Sequence, residues 1–232
     1  MIRIRRSAER GHFDHDWLDT RHTFSFGDYH DPRFMGFRAL RVLNEDRVRP
    51  GQGFGTHGHR NMEIVSYVLE GRLAHEDSLG NGSVIVPGDV QYMSAGTGVR
   101  HSEFNGSPAE PVHFVQIWIV PQAEGLPPRY DQKRFDDAQK KNRLRRVASP
   151  SGADGSIAIR QDVKLMAARA DEDASFAYAL GDGRFGWLQV ARGKVRVNDV
   201  DLETGDGLEI DHEPKLAIHA AKGSEFLLFD LA

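Results

Sequence analysis

Short runs in which apolar and polar residues alternate constrain this chain more than any other feature of its sequence. β-branched and aromatic residues dominate the runs, and turns such as Gly80-Asn81-Gly82 and Gly205-Asp206-Gly207 separate them. The runs cover residues 62–69, 83–86, 113–120, 187–190, 194–197 and 226–229. No apolar stripe with the helical period of about 3.6 residues competes with them. Many short strands at close spacing predict an all-β chain that folds as a sandwich or a small barrel.

The stretch 121–155 interrupts the strand pattern. It contains four of the chain's prolines and a charged run at 134–147 (RFDDAQKKNRLRRV). Such a stretch is typical of a connection, here with one short helix. We therefore predict an N-terminal barrel at 1–135, a linker at 136–155 and a C-terminal barrel at 156–232.

A short internal echo favours two copies of one barrel. In the first half, residues 69–73 (LEGRL) are followed by a turn and then by Gly88-Asp89. In the second half, residues 191–195 (ARGKV) are followed by a turn and then by Gly205-Asp206. Both read as strand, glycine turn, strand, Gly-Asp and strand, and self-similarity of this kind indicates repeated units.

Charge and composition exclude several classes of protein. A net charge of −4 argues against direct binding of nucleic acid, and we interpret the basic cluster within 140–146 as a solvated face of the linker. No apolar stretch approaches the about 20 residues of a membrane span, and no secretory signal is recognisable, so we expect a cytoplasmic protein. The chain has no cysteine, so a metal site must use nitrogen and oxygen ligands.

Two pairs of ligand-type residues stand out. With 11 histidines in the chain, about 0.5 His-x-His pairs are expected by chance, so His57-Gly58-His59 alone is weak evidence. On a strand, however, residues i and i+2 point to the same face. The second pair, His101-Ser102-Glu103, has the same spacing, and glycine-rich segments at 51–56 and 94–100 lead into both. Three imidazoles and a carboxylate that converge from neighbouring strands suit a divalent transition metal.

These residues carry a family resemblance. Gly51-x5-His57-x-His59-x3-Glu63-x7-Gly71 resembles the first cupin motif, and residues 88–105 resemble the second. More narrowly, the chain resembles the pirin family and its bacterial quercetin dioxygenase members. The segments that carry this likeness are 21–26 (RHTFSF), 53–59 (GFGTHGH), 64–71 (IVSYVLEG) and 93–103 (MSAGTGVRHSE). The resemblance implies two consecutive cupin barrels (double-stranded β-helix or jelly-roll), with a metal in the first and none in the second.

The resemblance also implies a ligand set. The metal is expected on His57, His59, His101 and Glu103, because the pirin pattern takes its carboxylate from the second motif. Glu63, the carboxylate of the first motif, is expected to support the site and to orient an imidazole. The remaining histidines are interpreted as structural: His12 and His15 in a surface turn, His22 in the core or a pocket wall, His30, His75 and His113 without partners at useful spacing, and His212 and His219 in the second barrel.

The resemblance implies an oxidoreductase of the quercetin 2,3-dioxygenase type. Its substrates are dioxygen and a flavonol or related small aromatic enol, and Glu103 is the expected base for the substrate's hydroxyl proton. Iron(II) is the first expectation for the metal, with manganese, nickel, cobalt, copper or zinc able to fill a similar site. Aromatic residues that could line a pocket, or simply form the core, are Phe24, Phe26, Phe34, Phe37, Tyr67, Phe104 and Trp118.

Two other functions stay open at this point. Pirin-like proteins include a metal-dependent, redox-responsive regulator of transcription, which would use the metal to shape a surface for a protein partner. A cupin isomerase is the third reading, and turnover without dioxygen would distinguish it. These functions rest on likeness of fold, which does not fix chemistry.

Overall fold

The computed structural model describes residues 2–232, and the predicted all-β class is confirmed for them. The strands are accompanied by one four-residue α-helix, α1 (Asp137–Lys140), and by 3-10 turns at Ser7–Glu9 and Ala153–Gly155. Within this range no helix has the length and apolar character needed to cross a membrane.

The strands follow in chain order. The first eleven are β1 (Ile2–Arg5), β2 (Gly11–Asp14), β3 (Leu18–His22), β4 (Leu40–Val48), β5 (Gly53–His59), β6 (Glu63–Glu70), β7 (Leu73–Asp77), β8 (Gly82–Ile85), β9 (Asp89–Ser94), β10 (Val99–Asn105) and β11 (Val112–Ile119). The others are β12 (Arg129–Arg134), β13 (Arg145–Ser149), β14 (Ile157–Ala158), β15 (Val163–Arg169), β16 (Ala174–Ala179), β17 (Phe185–Arg192), β18 (Lys194–Val197), β19 (Val200–Glu203), β20 (Gly207–Ile210), β21 (Lys215–Ala220) and β22 (Glu225–Leu231).

The chain forms two compact units, and each contains one seven-stranded and one four-stranded sheet. The N-terminal unit comprises residues 11–134 and 159–161, with strand orders β12-β9-β6-β11-β4-β3-β2 and β5-β10-β7-β8. The C-terminal unit comprises residues 2–10, 135–158 and 162–232. Its strand orders are β1-β20-β17-β22-β15-β13-β14 and β16-β21-β18-β19.

Burial explains the two kinds of strand in the N-terminal unit. Strand β6 lies inside the larger sheet, and all of its residues except Glu70 are buried, so it is mostly apolar and does not alternate. Strand β10 alternates instead, with His101, Glu103 and Asn105 buried and Phe104 exposed. This alternation turns the second predicted ligand pair into the barrel.

The register of the smaller sheet determines which side chains meet. Strand β10 lies between β5 and β7, so that His101 is opposite both His57 and Asp77. Glu103 is opposite His75 on β7, and the pairing with β5 shifts between His101 and Glu103. A register slip of one residue on β10 would turn both ligand candidates to the outer face.

The C-terminal unit has its own core. Strand β21 alternates, with Leu216, Ile218 and Ala220 buried and the residues between them exposed. These side chains pack in one cluster with residues of β17 and β22, among them Leu188 and Phe226.

The extents of the units differ from the predicted ranges 1–135, 136–155 and 156–232 in three places, the shortest being residues 159–161, which belong to the N-terminal unit. Residues 2–10 belong to the C-terminal unit, because β1 pairs with β20. The segment predicted as a linker also belongs to that unit, because β13 pairs with β15 and a capping box between Asp136 and Gln139 starts α1. Three members of its basic cluster are ion-paired, Lys140 with Glu225, Lys141 with Asp171 and Arg146 with Asp154.

Candidate metal centre

Three of the four predicted ligands, His57, His59 and His101, meet inside the N-terminal unit. Each of them offers a ring nitrogen within 4.8 Å of the nitrogens of the other two. The ring centroids of His57 and His101 are 4.5 Å apart, and those of His59 and His101 are 4.9 Å apart. The same-face argument for both pairs therefore leads to one cluster of imidazoles.

A backbone contact defines the protonation of the first imidazole. The Nδ1 atom of His57 lies 2.8 Å from the carbonyl oxygen of Gly55, which can only accept a hydrogen bond. Nδ1 therefore carries a proton, and a neutral ring in this arrangement has its lone pair on Nε2. This is the tautomer that a metal requires when it binds through Nε2.

His59 and His101 are neutral at physiological pH. Burial, followed by the neighbouring His57, lowers the pKa of His59 to about 4. Burial lowers the pKa of His101 to about 3, with contributions from His57, His59 and His75. Only neutral imidazoles bind metals, so His59 and His101 hold the ligand form at pH 7.

The separation of two nitrogens tests whether an ion fits. The Nε2 atoms of His59 and His101 are 3.0 Å apart. Two nitrogens bound to one divalent ion at about 2.1 Å lie about 3 Å apart when the two bonds meet at a right angle. Two lone pairs at this distance repel each other unless a cation or proton lies between them. The donor set therefore fits a divalent transition metal.

Glu103, the fourth predicted ligand, lies next to the histidine cluster. It groups with His101 and His75 rather than with all three histidines, and its carboxylate accepts hydrogen bonds from Ser66 Oγ at 3.2 Å and Gln116 Nε2 at 2.7 Å. Burial, with a smaller contribution from Asp46, raises the pKa of Glu103 to about 7. A carboxyl group with this pKa can both release and accept a proton near neutral pH.

Glu63 has a different role from the one expected of it. It is buried and accepts hydrogen bonds from the Tyr92 hydroxyl, from Ser94 Oγ at 2.6 Å and from the Arg160 backbone N–H at 2.9 Å. None of these partners is an imidazole, so the expectation that Glu63 orients one is wrong. The carboxylate instead joins β6, β9 and the segment 159–161 of the N-terminal unit.

Two histidines expected to lack partners have them. His113 Nε2 lies 2.9 Å from Glu45 Oε1. His75 lies 3.2 Å from Asp77 through Nε2 and 3.4 Å from His101 Nδ1 through Nδ1. A signal for the second case was present, because His75-Glu76-Asp77 has the same i, i+2 spacing as the two ligand pairs. The missing information was the strand register that brings it against β10.

A cavity of about 230 Å³ opens beside the cluster and reaches His57 and Glu103. Of the aromatic residues predicted for a pocket, Phe26 and Trp118 line it. Phe24, Phe34 and Tyr67 are buried core residues, and Phe104 is exposed. The expectation that His22 belongs to the core or a pocket wall is confirmed, since it is buried and lines this cavity.

Three side chains of the cavity wall have a buried polar atom. Thr20, Asn44 and Trp118 line the cavity, and within residues 2–232 their atoms Oγ1, Oδ1 and Nε1 are buried without a hydrogen-bond partner. Buried polar atoms are nearly always paired. Together they offer a hydroxyl, an acceptor and a donor to a bound molecule.

Comparison with known proteins agrees with this picture. The Pirin family profile matches residues 2–119, and a profile described as the quercetinase C-terminal cupin domain matches residues 146–231. A protein named quercetin 2,3-dioxygenase from Escherichia coli (strain K12) is 50% identical over 231 residues, covering 100% of this chain and 99% of that protein. A pirin-like protein from Caulobacter vibrioides is 41% identical, with 96% of each chain covered.

Solved structures are similar over the whole chain. YhhW from E. coli has a TM-score of 0.96 and 49% identity, covering 100% of this chain and 98% of that one. The bacterial pirin YhhW in complex with nickel(II) has a TM-score of 0.95 and 48% identity, covering 100% and 99%. The predicted pair of consecutive cupin domains is thereby confirmed, and the chain belongs to the pirin family.

Proposed function

We propose that this chain is a metal-dependent dioxygenase of the quercetin 2,3-dioxygenase type. The observation that carries the proposal is a cluster of three imidazoles, with Glu103 beside it, that opens onto a cavity with aromatic walls. Relatives about 50% identical over the full chain bear the name quercetin 2,3-dioxygenase, which supports the same activity here.

We assign the metal to His57, His59, His101 and Glu103. Four protein ligands leave open positions on a six-coordinate ion, as a catalytic site requires. When bound, the metal supplies Lewis acidity for the substrate's oxygen atoms and a redox centre for dioxygen chemistry. Iron(II) is our first choice, and the nickel complex of YhhW supports the view that such a site accepts other divalent ions.

Glu103 is the proposed base. Deprotonation of an enol hydroxyl makes the substrate electron-rich and ready for oxidation, and the Glu103 carboxylate lines the cavity where that proton would be released. Ser66 and Gln116 donate hydrogen bonds to this carboxylate. Their hydrogen bonds fix its direction, and the loss of either one is expected to slow proton transfer rather than to prevent binding.

The cavity indicates the class of substrate. The aromatic rings in its walls, including those of Phe26 and Trp118, favour a flat aromatic molecule. The unpaired atoms of Thr20 and Asn44 favour hydroxyl groups on that molecule. The volume of about 230 Å³ is below the about 300–1,000 Å³ of pockets that enclose drug-sized ligands. We therefore infer that the enclosed part is a small aromatic enol, such as one end of a flavonol.

The test follows loss of quercetin with and without dioxygen. A dioxygenase consumes quercetin and dioxygen in equal amounts and does nothing under argon. Equal turnover under argon would point to an isomerase. No turnover in air by metal-loaded protein, with small phenolic enols also inert, would contradict the proposal and favour the regulator that binds a protein partner.

A further inference from the structure

A buried pair of side chains lies behind the metal cluster. His75 and Asp77 are on β7, and both side chains are fully shielded from solvent. The register of β7 against β10 places Asp77 opposite His101 and His75 opposite Glu103. The pair is therefore on the inner face of the same sheet as two of the proposed ligands, one strand further from the cavity.

The hydrogen bonds of Asp77 fix the proton on His75. Its Oδ1 accepts from the backbone N–H groups of Leu79 at 2.9 Å and Asn81 at 3.0 Å, and its Oδ2 accepts from Asn81 Nδ2 at 2.9 Å. A carboxylate surrounded by donors acts as an acceptor toward its remaining neighbour, His75 Nε2, at 3.2 Å. Nε2 of His75 therefore carries the proton, and Nδ1 has the lone pair.

The lone pair on His75 Nδ1 determines the proton position on His101. His75 Nδ1 lies 3.4 Å from His101 Nδ1, and a lone pair on the first requires a proton on the second for a hydrogen bond. His101 Nε2 is then the atom with a lone pair. This atom is the one that lies 3.0 Å from His59 Nε2, where the metal is assigned.

We propose that Asp77 and His75 are positioning residues that hold His101 in the tautomer with the proton on Nδ1 and thereby direct Nε2 to the metal. The proposal rests on the metal centre assigned above. A metal-bound histidine gains affinity and a fixed ring orientation from the acceptor of its other N–H group, and the loss of such an acceptor typically lowers metal affinity by about 10–100-fold.

A purely structural role predicts something different. Asp77 also closes the turn to Asn81, and the His75 ring stacks on Tyr130 with centroids 5.1 Å apart. If packing were the only role of His75, any side chain of similar size would preserve metal binding. The variants His75→Leu and His75→Asn separate the two roles, because they have nearly the same shape but only asparagine offers an acceptor.

The experiment measures the dissociation constant for nickel(II) by competition with a chelator in the full chain. We expect His75→Leu to bind about 10–100-fold more weakly than wild type and His75→Asn to recover a clear part of the loss. Tyr130→Phe, which keeps the ring next to His75, should bind as wild type does. Equal affinity of His75→Leu and wild type, or of the leucine and asparagine variants, would overturn the proposal.

A second measurement needs no variant. Long-range proton–nitrogen correlation NMR on the metal-free wild-type chain reports which imidazole nitrogen of His101 is protonated. A proton on Nδ1 supports the proposed role of Asp77 and His75. A proton on Nε2 overturns it even if the His75 variants do not fold. Failure of the metal centre itself is recognised separately, because wild type and His59→Ala would then bind nickel(II) equally.

Discussion

His59 and His101 approach to 3.0 Å through their Nε2 atoms although they are not register partners on β5 and β10. His101 is opposite His57, and His59 is opposite Val99, so the contact crosses the sheet diagonally. Long side chains on diagonal positions of neighbouring strands can reach each other. One residue of β10 therefore meets both members of the His-x-His pair, which makes His101 the centre of the proposed site.

Removal of one imidazole should empty the site without unfolding the chain. We expect His59→Ala and His101→Ala to lose bound metal in elemental analysis, because the remaining donors no longer enclose an ion. Their thermal transitions should stay cooperative, because the buried apolar clusters of the N-terminal unit include neither His59 nor His101. His12→Ala is the control, as this exposed residue pairs with Asp19. Full metal content in His101→Ala would show that the ligand assignment is wrong.

Glu103 should couple metal binding to pH. Below its pKa of about 7, a proton must leave Glu103 before the carboxylate can bind a cation. The pKa values of His59 and His101, about 4 and about 3, mean that these two residues add no such dependence near neutrality. Between pH 5.5 and 7 (about one and a half units), the logarithm of nickel(II) affinity should therefore fall more steeply with acid in wild type than in Glu103→Gln. Equal slopes would exclude Glu103 as the proton-linked ligand.

Metal-free protein should respond to pH in the opposite direction. The folded-state pKa of Glu103 is raised from 4.5 to about 7, so its stabilising effect is complete below pH 4.5 and is lost as pH rises through 7. The loss is on the order of 3 kcal/mol for this buried group. Glu103→Gln cannot ionise, so urea titrations at pH 8 with chelator should find the variant more stable than wild type. The difference should disappear at pH 4.5, and a difference that persists there would have another origin.

The two glutamates should separate stability from binding. Glu63→Gln leaves Tyr92, Ser94 and Arg160 with an acceptor of half the former capacity, and we expect a loss of about 1–3 kcal/mol in the free energy of unfolding. Bound metal per chain should stay at the wild-type value. Urea unfolding and elemental analysis of one preparation test both points. Loss of metal from folded Glu63→Gln would show that Glu63 contributes to the metal site after all.

The cavity wall should determine substrate affinity. Thr20→Val removes a hydroxyl without changing shape, and we expect it to lower kcat/KM for a hydroxylated substrate by about 5–30-fold, equivalent to about 1–2 kcal/mol. Thr20→Ser keeps the hydroxyl and should retain most of the activity. The change should lie mainly in KM, because Thr20 lines the cavity but is not among the assigned metal ligands. Unchanged kinetics in Thr20→Val would remove this residue from substrate recognition.

Local sequence was enough to predict what depends on a single strand. The His-x-His and His-x-Glu pairs were assigned to shared faces from the period of two alone, and the structure brings their imidazoles together. Partners that depend on register could not be predicted in this way. His75 meets His101 only because β7 pairs with β10, and Glu63 meets Arg160 only because the segment 159–161 returns to the N-terminal unit.

The pairing of β1 with β20 could not be predicted from the sequence for the same reason. The residues of β1 alternate between apolar and charged, as in many edge strands. Nothing in residues 2–5 identifies a pairing partner about 200 positions away. Tertiary pairing, rather than local preference, therefore decided where the two units begin and end along the chain.

The central claim is that bound metal makes this chain a dioxygenase. The most direct measurement is oxygen uptake with quercetin by purified protein of known metal content, before chelation, after it, and after addition of iron(II). We predict uptake that stops on chelation and returns with the metal, in wild type but not in His101→Ala. Oxygen uptake that is unaffected by chelation, or absent from wild type with one metal bound per chain, would contradict the claim.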